Sequence, residues 1–186
     1  MKISSGRFSD FVILAGMKNF KERLKNVRCL IFDIDGVLTN GSLVVMPGEL
    51  HRIMNIRDGF ALKEAVTQGL HVAIISGGKS ESVRTRLQNL GIKDIYLGVE
   101  DKMDRYDELK IMYDLNDDEI LYMGDDIPDY TAMQKAGLPC CPPDAVPEIR
   151  NLCIYVSPVK GGEGCVRDVT EQVLKAQDKW PVKAEQ

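Results

Sequence analysis

Asp33 and Asp35 stand two residues apart in Asp33-Ile34-Asp35-Gly36-Val37-Leu38-Thr39, directly after the apolar run Cys29-Leu30-Ile31-Phe32. A short apolar run that ends abruptly in an acidic, glycine-containing loop reads as a buried strand whose carboxyl end opens a site. In open α/β sheets, ligands bind at that edge. Two carboxylates this close repel each other unless one is protonated or a cation lies between them. Hard divalent cations prefer such oxygens, and magnesium usually arrives with a phosphate. The chemistry this loop proposes is metal-assisted phosphoryl transfer.

Three more polar features follow predicted strands. Ser76-Gly77-Gly78 comes after the apolar strand His71–Ile75, Lys102 after Ile95–Leu97, and Gly124-Asp125-Asp126 with Asp129 after Ile120–Met123. Each alone has an ordinary explanation: a helix-entry serine, a solvated lysine, or an acidic pair capping a helix and facing its dipole. At one sheet edge, and in this order, they supply the parts that phosphoryl transfer needs.

The elements between them alternate. Val27–Phe32 is the first predicted strand, and Leu43–Val45 and Leu50–Ile56 flank Pro47-Gly48 as a hairpin over about 41–56. Asp58 is expected to cap a helix that Gly69 ends, Ser80 to open one that Gly91 closes, and Lys102–Leu115 to be helical. Pro128 marks the start of a helix ending at Gly137, two strand-like pieces fall within 138–157, and Val166–Lys175 forms the last helix. Alternating strands and helices imply a doubly wound parallel (Rossmann-like) α/β sheet with a protruding β-hairpin. No insertion is long enough to cap the site. The expected organisation is an amphipathic lead-in over 1–26, carrying Phe8, Phe11, Phe20 and Leu24, and one domain over 27–178.

Composition sets limits. The 186 residues are 44% hydrophobic and 28% charged, and suit one domain with a real core. A net charge of −4 gives no footprint for nucleic acid or an anionic membrane, and no apolar stretch approaches a membrane span. The run Phe11–Gly16 is short, follows Asp10 and precedes no small-residue cleavage site, so a secretory signal is not expected. Five cysteines with no C-x-x-C pair argue against a disulfide framework or zinc site and fit a reducing cytoplasm.

The series D-x-D-G-V-L-T, S-G, K and G-D-D-x-x-D resembles the four motifs of the haloacid dehalogenase superfamily of phosphatases, over about residues 27–175. The resemblance implies that Asp33 is the nucleophile and Asp35 the general acid and base. Ser76, Gly77 and Lys102 would bind the transferring phosphate. Asp33, the Asp35 backbone carbonyl and Asp125 would hold Mg²⁺, with Asp126 and Asp129 supporting metal waters or orienting the lysine. The short gaps between motifs resemble the capless class, which often closes its site with a neighbouring subunit. Asn55-Ile56-Arg57-Asp58-Gly59 and Gly161-Gly162-Glu163-Gly164-Cys165-Val166-Arg167 further resemble signatures of the 3-deoxy-D-manno-octulosonate 8-phosphate (KDO 8-phosphate) phosphatases. That likeness implies substrate contacts at Asp35, Asn55, Ile56, Arg57, Asp58, Gly59, Lys63 and Arg86, suited to a sugar-acid phosphate. It also implies a homotetramer built around the hairpin, with the glycine-rich tail from 161 reaching an adjacent site, and a place in lipopolysaccharide precursor synthesis.

Gly78 departs from the arginine many of these phosphatases carry there, Cys165 from their alanine and Ala61 from their glycine. Relatives acting on nine-carbon sialic-type acid 9-phosphates tend to be acidic at 78, which Gly78 does not match. A signalling receiver domain would carry its acidic pair early and on a different strand from its phosphoacceptor; here D-x-D shares one strand end. A non-catalytic capless domain would be expected to have lost one of Asp33, Asp35, Ser76, Lys102 or Asp125, and a glycosyltransferase D-x-D would come with nucleotide-binding features.

Overall fold

The four residues of β1 (Cys29–Phe32) are wholly buried, and their alternation divides the core in two. Leu30 and Phe32 face one layer, Cys29 and Ile31 the other. The same alternation recurs in β4 (His71–Ser76) and β6 (Ile120–Met123), the strands paired in parallel on either side of β1. A strand buried on both faces reads as an unbroken apolar run, which is why these three were legible. The computed structural model describes residues 20–182, and its main sheet has the order β5-β4-β1-β6-β7-β8, with β5 at Asp94–Leu97, β7 at Leu138–Cys141 and β8 at Tyr155–Val156. All its pairings are parallel. A separate antiparallel hairpin joins β2 (Val44–Met46) to β3 (Glu49–His51).

One face of the sheet packs against α1 (Ile56–Thr67), α2 (Glu81–Gln88) and α6 (Cys165–Ala176). The other takes α3 (Lys102–Tyr113), α4 (Tyr130–Lys135) and α5 (Pro147–Leu152). The register sets the site: Phe32 lies level with Ile74 and Met123, so Asp33 and Gly124 follow their strands at one level and Ser76, the last residue of β4, stands one residue further along the same carboxyl edge.

Several local expectations shift. Asn55, not Asp58, caps α1; its side chain accepts from the Arg57 N–H, while Asp58 turns inward. The hairpin is shorter than 41–56: its pairing stops at His51, Ile53 beyond it is 78% exposed, and Ile56, 79% exposed, already begins α1. Pro128 lies in a 3₁₀ turn (Ile127–Asp129) that leads into α4. The two strand-like pieces expected within 138–157 are β7 and β8, and between them stands α5, which the sequence does not announce because six residues starting at Pro147 are too few to show helical periodicity.

The core reaches back before residue 27. Phe20 stacks on Tyr155 with ring centroids 4.4 Å apart, and Leu24 is buried with it. Phe8, Phe11 and the apolar run at 11–16 lie outside the described residues.

The glycine-rich segment packs against its own chain at Gly161 and Gly162. The Gly162 N–H donates to Val37 O at 2.9 Å, and α6 behind it buries Val166, Val169, Val173 and Leu174, as Trp180 is buried beyond it. A Cβ at Gly161 would lie 1.9 Å from Gly36 O and one at Gly162 2.5 Å from Asn40 N, both backbone atoms that cannot step aside. Gly161→Ala is therefore expected to cost about 1–3 kcal/mol, a fall of roughly 5 °C in Tm by circular dichroism. An unchanged Tm would show that the segment does not hold the loop after Asp33.

Candidate active site

Asp33 leaves β1 with its N–H donating to Met123 O, and Ile34–Leu38 then folds into a tight loop with Gly36 at φ +91°. That left-handed turn needs glycine twice over, since a Cβ there would also lie 1.9 Å from Asp125 Oδ2. The Thr39 hydroxyl closes the loop, donating to Ile34 O and accepting from the Gly36 and Gly41 N–H groups.

Lys102, the first residue of α3, is 4% exposed and lies between two carboxylates. Its Nζ is 2.9 Å from Asp33 Oδ1 and donates to Asp129 Oδ1 at 2.7 Å. Asp129 also accepts from the Tyr122 hydroxyl at 2.9 Å and from the Asp125 N–H at 3.3 Å, so it braces the lysine. Burial pulls the Lys102 ammonium down, but Asp33 and Asp129 outweigh it and hold the group charged. Carboxylate oxygens of Asp33, Asp125 and Asp129 all lie within 4.8 Å of one another.

Burial, then repulsion by Asp129, raises the Asp33 carboxyl to about 6 although Lys102 pulls it down. Burial, then Asp33, Asp129 and Asp126, raises Asp125 to about 8. Asp125 Oδ1 is buried with no hydrogen-bond partner among the described residues. Asp129 is already committed, so Asp33 and Asp125 are the side chains with oxygen to offer a cation. A hard divalent cation fits this set: it would satisfy the orphaned oxygen and relieve the repulsion.

Ser76 is buried beside them, its hydroxyl accepting from the Gly78 N–H at 3.2 Å. Asp33, Asp35, Ser76, Gly77, Lys102 and Asp125 line one cleft of about 420 Å³. A larger groove of about 780 Å³ runs between the hairpin and α2, past Met46, Lys79 and Arg84, but no carboxylate cluster lies in it. Asp126 stands at the cleft's edge, exposed, its carboxylate accepting from the Ile127 N–H as a helix cap.

The other predicted contacts gather elsewhere: Asn55, Ile56, Arg57, Asp58, Gly59, Lys63 and Arg86 do not line this cleft. Arg86 lies against Gly59, where a Cβ would meet its guanidinium at 2.6 Å. Asn55 Nδ2 donates to Gly162 O at 3.4 Å. Asp58 is buried and accepts from the Arg167 N–H at 2.7 Å, tying α1 to the start of α6. Burial raises its carboxyl to about 6, with Arg167 pulling the other way. The unfolded value is about 3.9, so the folded state binds the proton more tightly. The resulting stability is complete below the unfolded value and lost as pH rises through about 6. Asp58→Asn keeps the acceptor without the charge, so its Tm is expected to gain on wild type as pH rises from about 4 to about 6 and to keep that gain above it. A constant Tm difference across that range would refute the inward, raised carboxyl.

Two participants escaped sequence reasoning. Tyr122 sits inside an apolar strand, and its only signal is that a buried phenol needs an acceptor. Arg52, at the end of the hairpin, holds Asp35 through both guanidinium edge donors: Nε to Oδ1 at 2.7 Å and Nη2 to Oδ2 at 2.8 Å. Nothing in the spacing of Arg52 announces that fold-back.

No family model matches the chain. Among curated proteins it is 38% identical over 160 residues to the KDO 8-phosphate phosphatase of Yersinia pestis, covering 85% of each chain. It is 37% identical over 159 residues to that of Escherichia coli K12, covering 84% of each. The chain belongs to the KDO 8-phosphate phosphatase family. Solved structures of the haloacid dehalogenase fold agree. A putative subfamily III A hydrolase from Legionella pneumophila superposes with TM-score 0.86 at 36% identity, over 91% of this chain and 93% of that one. The Moraxella catarrhalis KDO 8-phosphate phosphatase, solved with magnesium, phosphate and KDO, superposes with TM-score 0.84 at 31% identity, over 87% and 94%. Membership makes this chain a phosphoric monoester hydrolase. Among the described residues no helix is long and apolar enough to cross a membrane.

Proposed function

We propose that this chain is a Mg²⁺-dependent phosphatase that hydrolyses KDO 8-phosphate to KDO and inorganic phosphate, in the cytoplasm, for lipopolysaccharide precursor synthesis. The observation that carries the reading is the setting of Asp33: a buried carboxylate at a sheet edge, 2.9 Å from a buried lysine and beside an aspartate with an orphaned oxygen. The named substrate of its relatives and the Moraxella complex support the same reading.

Asp33 attacks phosphorus; its oxygen–phosphorus bond forms as the ester bond breaks, and Asp35, which enters the step protonated on one oxygen released from Arg52, gives that proton to the departing sugar oxygen. Water then attacks the aspartyl-phosphate, Asp35 takes the water's proton back, and phosphate leaves with Asp33 regenerated. Ser76, the Gly77 N–H and Lys102 hold the equatorial oxygens as charge redistributes. Mg²⁺, when bound by Asp33, Asp125 and the Asp35 carbonyl, neutralises the repulsion between a carboxylate nucleophile and a dianionic phosphate. Asp129 keeps Lys102 aimed at the phosphate, and Asp126 supports from the cleft's edge.

We place the sugar contacts of Asn55–Gly59, Lys63 and Arg86 in a homotetramer whose axis covers the hairpin. The exposed Val44, Val45, Met46 and Leu50 favour that assembly, because a two-stranded hairpin with apolar faces needs a partner. The glycine-rich segment from Gly161, in which Glu163 stays exposed, is the part of the chain we assign to reaching a neighbouring subunit's site. The test is phosphate release, with Mg²⁺ and with EDTA, from KDO 8-phosphate beside a nine-carbon sialic-type acid 9-phosphate. A Mg²⁺-dependent kcat/KM at least about tenfold higher for the eight-carbon acid is expected. Preference for the nine-carbon acid would move the substrate while keeping the chemistry. Release from neither would make this a non-catalytic member of the fold.

A further inference from the structure

Arg52 is a cation beside the catalytic cleft to which the phosphatase chemistry assigns no task. Its side chain is 4% exposed although it comes from the end of a protruding hairpin. Its guanidinium lies over Gly78: a Cβ at 78 would fall 2.6 Å from Arg52 Nη2 and 3.0 Å from Asp35 Oδ2. Gly78 and Asp35 both line the cleft around Asp33. The absence of a side chain at 78 is thus the space the guanidinium occupies.

A guanidinium has five N–H donors. Nε and one on Nη2 serve Asp35, and one on Nη1 reaches Leu50 O at 3.5 Å. One N–H on each terminal nitrogen has no partner among the described residues, so the Nη1–Nη2 side can take a further acceptor. Asp35 fixes the plane of the group, and a pre-set fork is what bidentate carboxylate recognition requires.

We propose that Arg52 is a specificity-determining residue that binds the carboxylate of a sugar-acid phosphate, from the space beside Gly78 that its guanidinium occupies. This rests on the sugar-acid phosphatase reading above. A neutral sugar phosphate would leave the guanidinium without its second carboxylate, so the site discriminates against it.

The experiment measures kcat/KM on KDO 8-phosphate and on glucose 6-phosphate for wild type, Arg52→Ala, Arg52→Lys, Gly78→Arg and Arg52→Ala/Gly78→Arg, with Tm recorded for each. Arg52→Ala is expected to lower the acid-to-neutral ratio by about 10- to 100-fold, the range of a charge-assisted hydrogen bond, and Arg52→Lys by less. Gly78→Arg alone is expected to lower activity, because Arg52 fills the space the new side chain needs. In the Arg52→Ala background the same change is expected to raise the ratio again, since the space is then open. If Arg52→Ala does not fold, Arg52→Lys carries the test, and an unchanged ratio in it overturns the proposal. Equal losses on both substrates would also overturn it, leaving Arg52 only as the residue that positions Asp35. Wild-type protein that releases no phosphate from KDO 8-phosphate would overturn the parent reading and this one with it. Active wild type with an unmoved ratio would overturn this one alone.

Discussion

Asp33→Asn is expected to lower kcat by about 10⁴-fold or more, the scale of losing a nucleophile, with the fold intact. The amide matches the carboxylate in shape and keeps an oxygen for Lys102, which also retains its bond to Asp129. It cannot form the acyl-phosphate. Because burial and Asp129 already press the Asp33 carboxyl toward its neutral form, removing the charge costs the fold little. Phosphate release and Tm are measured together, and acid-quenched protein is examined for a phosphorylated aspartate. Turnover near the wild-type rate in this variant would remove Asp33 from the chemistry.

Lys102→Ala is expected to act on both activity and stability. With the ammonium gone, nothing with a full charge faces the phosphate from α3, and a loss of about 10²- to 10³-fold in kcat follows. The same change strands Asp33 and Asp129, 8% and 1% exposed on their side chains, without their shared counter-charge. Breaking a buried charge pair costs about 3–5 kcal/mol; Tyr122 and the Asp125 N–H still serve Asp129, which puts this case at the lower end. The deficit has a pH signature. The Asp33 carboxyl, already raised by burial and Asp129, loses the lysine that pulls it down and takes up a proton more readily than in the unfolded chain, so the variant's stability falls as pH rises. Its Tm gap to wild type is expected to be wider at pH 8 than at pH 6, and Mg²⁺ to narrow it. A gap that does not change with pH would mean that the lysine is held for packing alone.

What could be read from the chain and what could not divide along physical lines. β1, β4 and β6 were legible because a strand buried on both faces must be apolar at every position, and their bounds follow from the loops that end them. The hairpin ran too long because Ile53 and Ile56 look like core residues yet stay in solvent. Asn55 and Asp58 are equally good caps by type; only the packing of α6, which brings the Arg167 N–H to Asp58, separates them. The packing of the glycine-rich segment on its own chain was not legible because its contacts, Gly36, Val37 and Asn40, lie more than a hundred residues earlier.

Residue type and short-range spacing determined which groups can do chemistry here: carboxylates two apart, a serine in a glycine turn, a lysine opening a helix and an acidic loop, each ending a strand. Their ionisation, pairing and reach were decided by the fold. The parallel register brings Asp33 level with Gly124 and one residue short of Ser76, α3 drives Lys102 between two buried carboxylates, and the hairpin folds Arg52 back over Gly78 onto Asp35. Contacts between residues distant in the chain depend on how whole elements pack, and local composition carries no record of that.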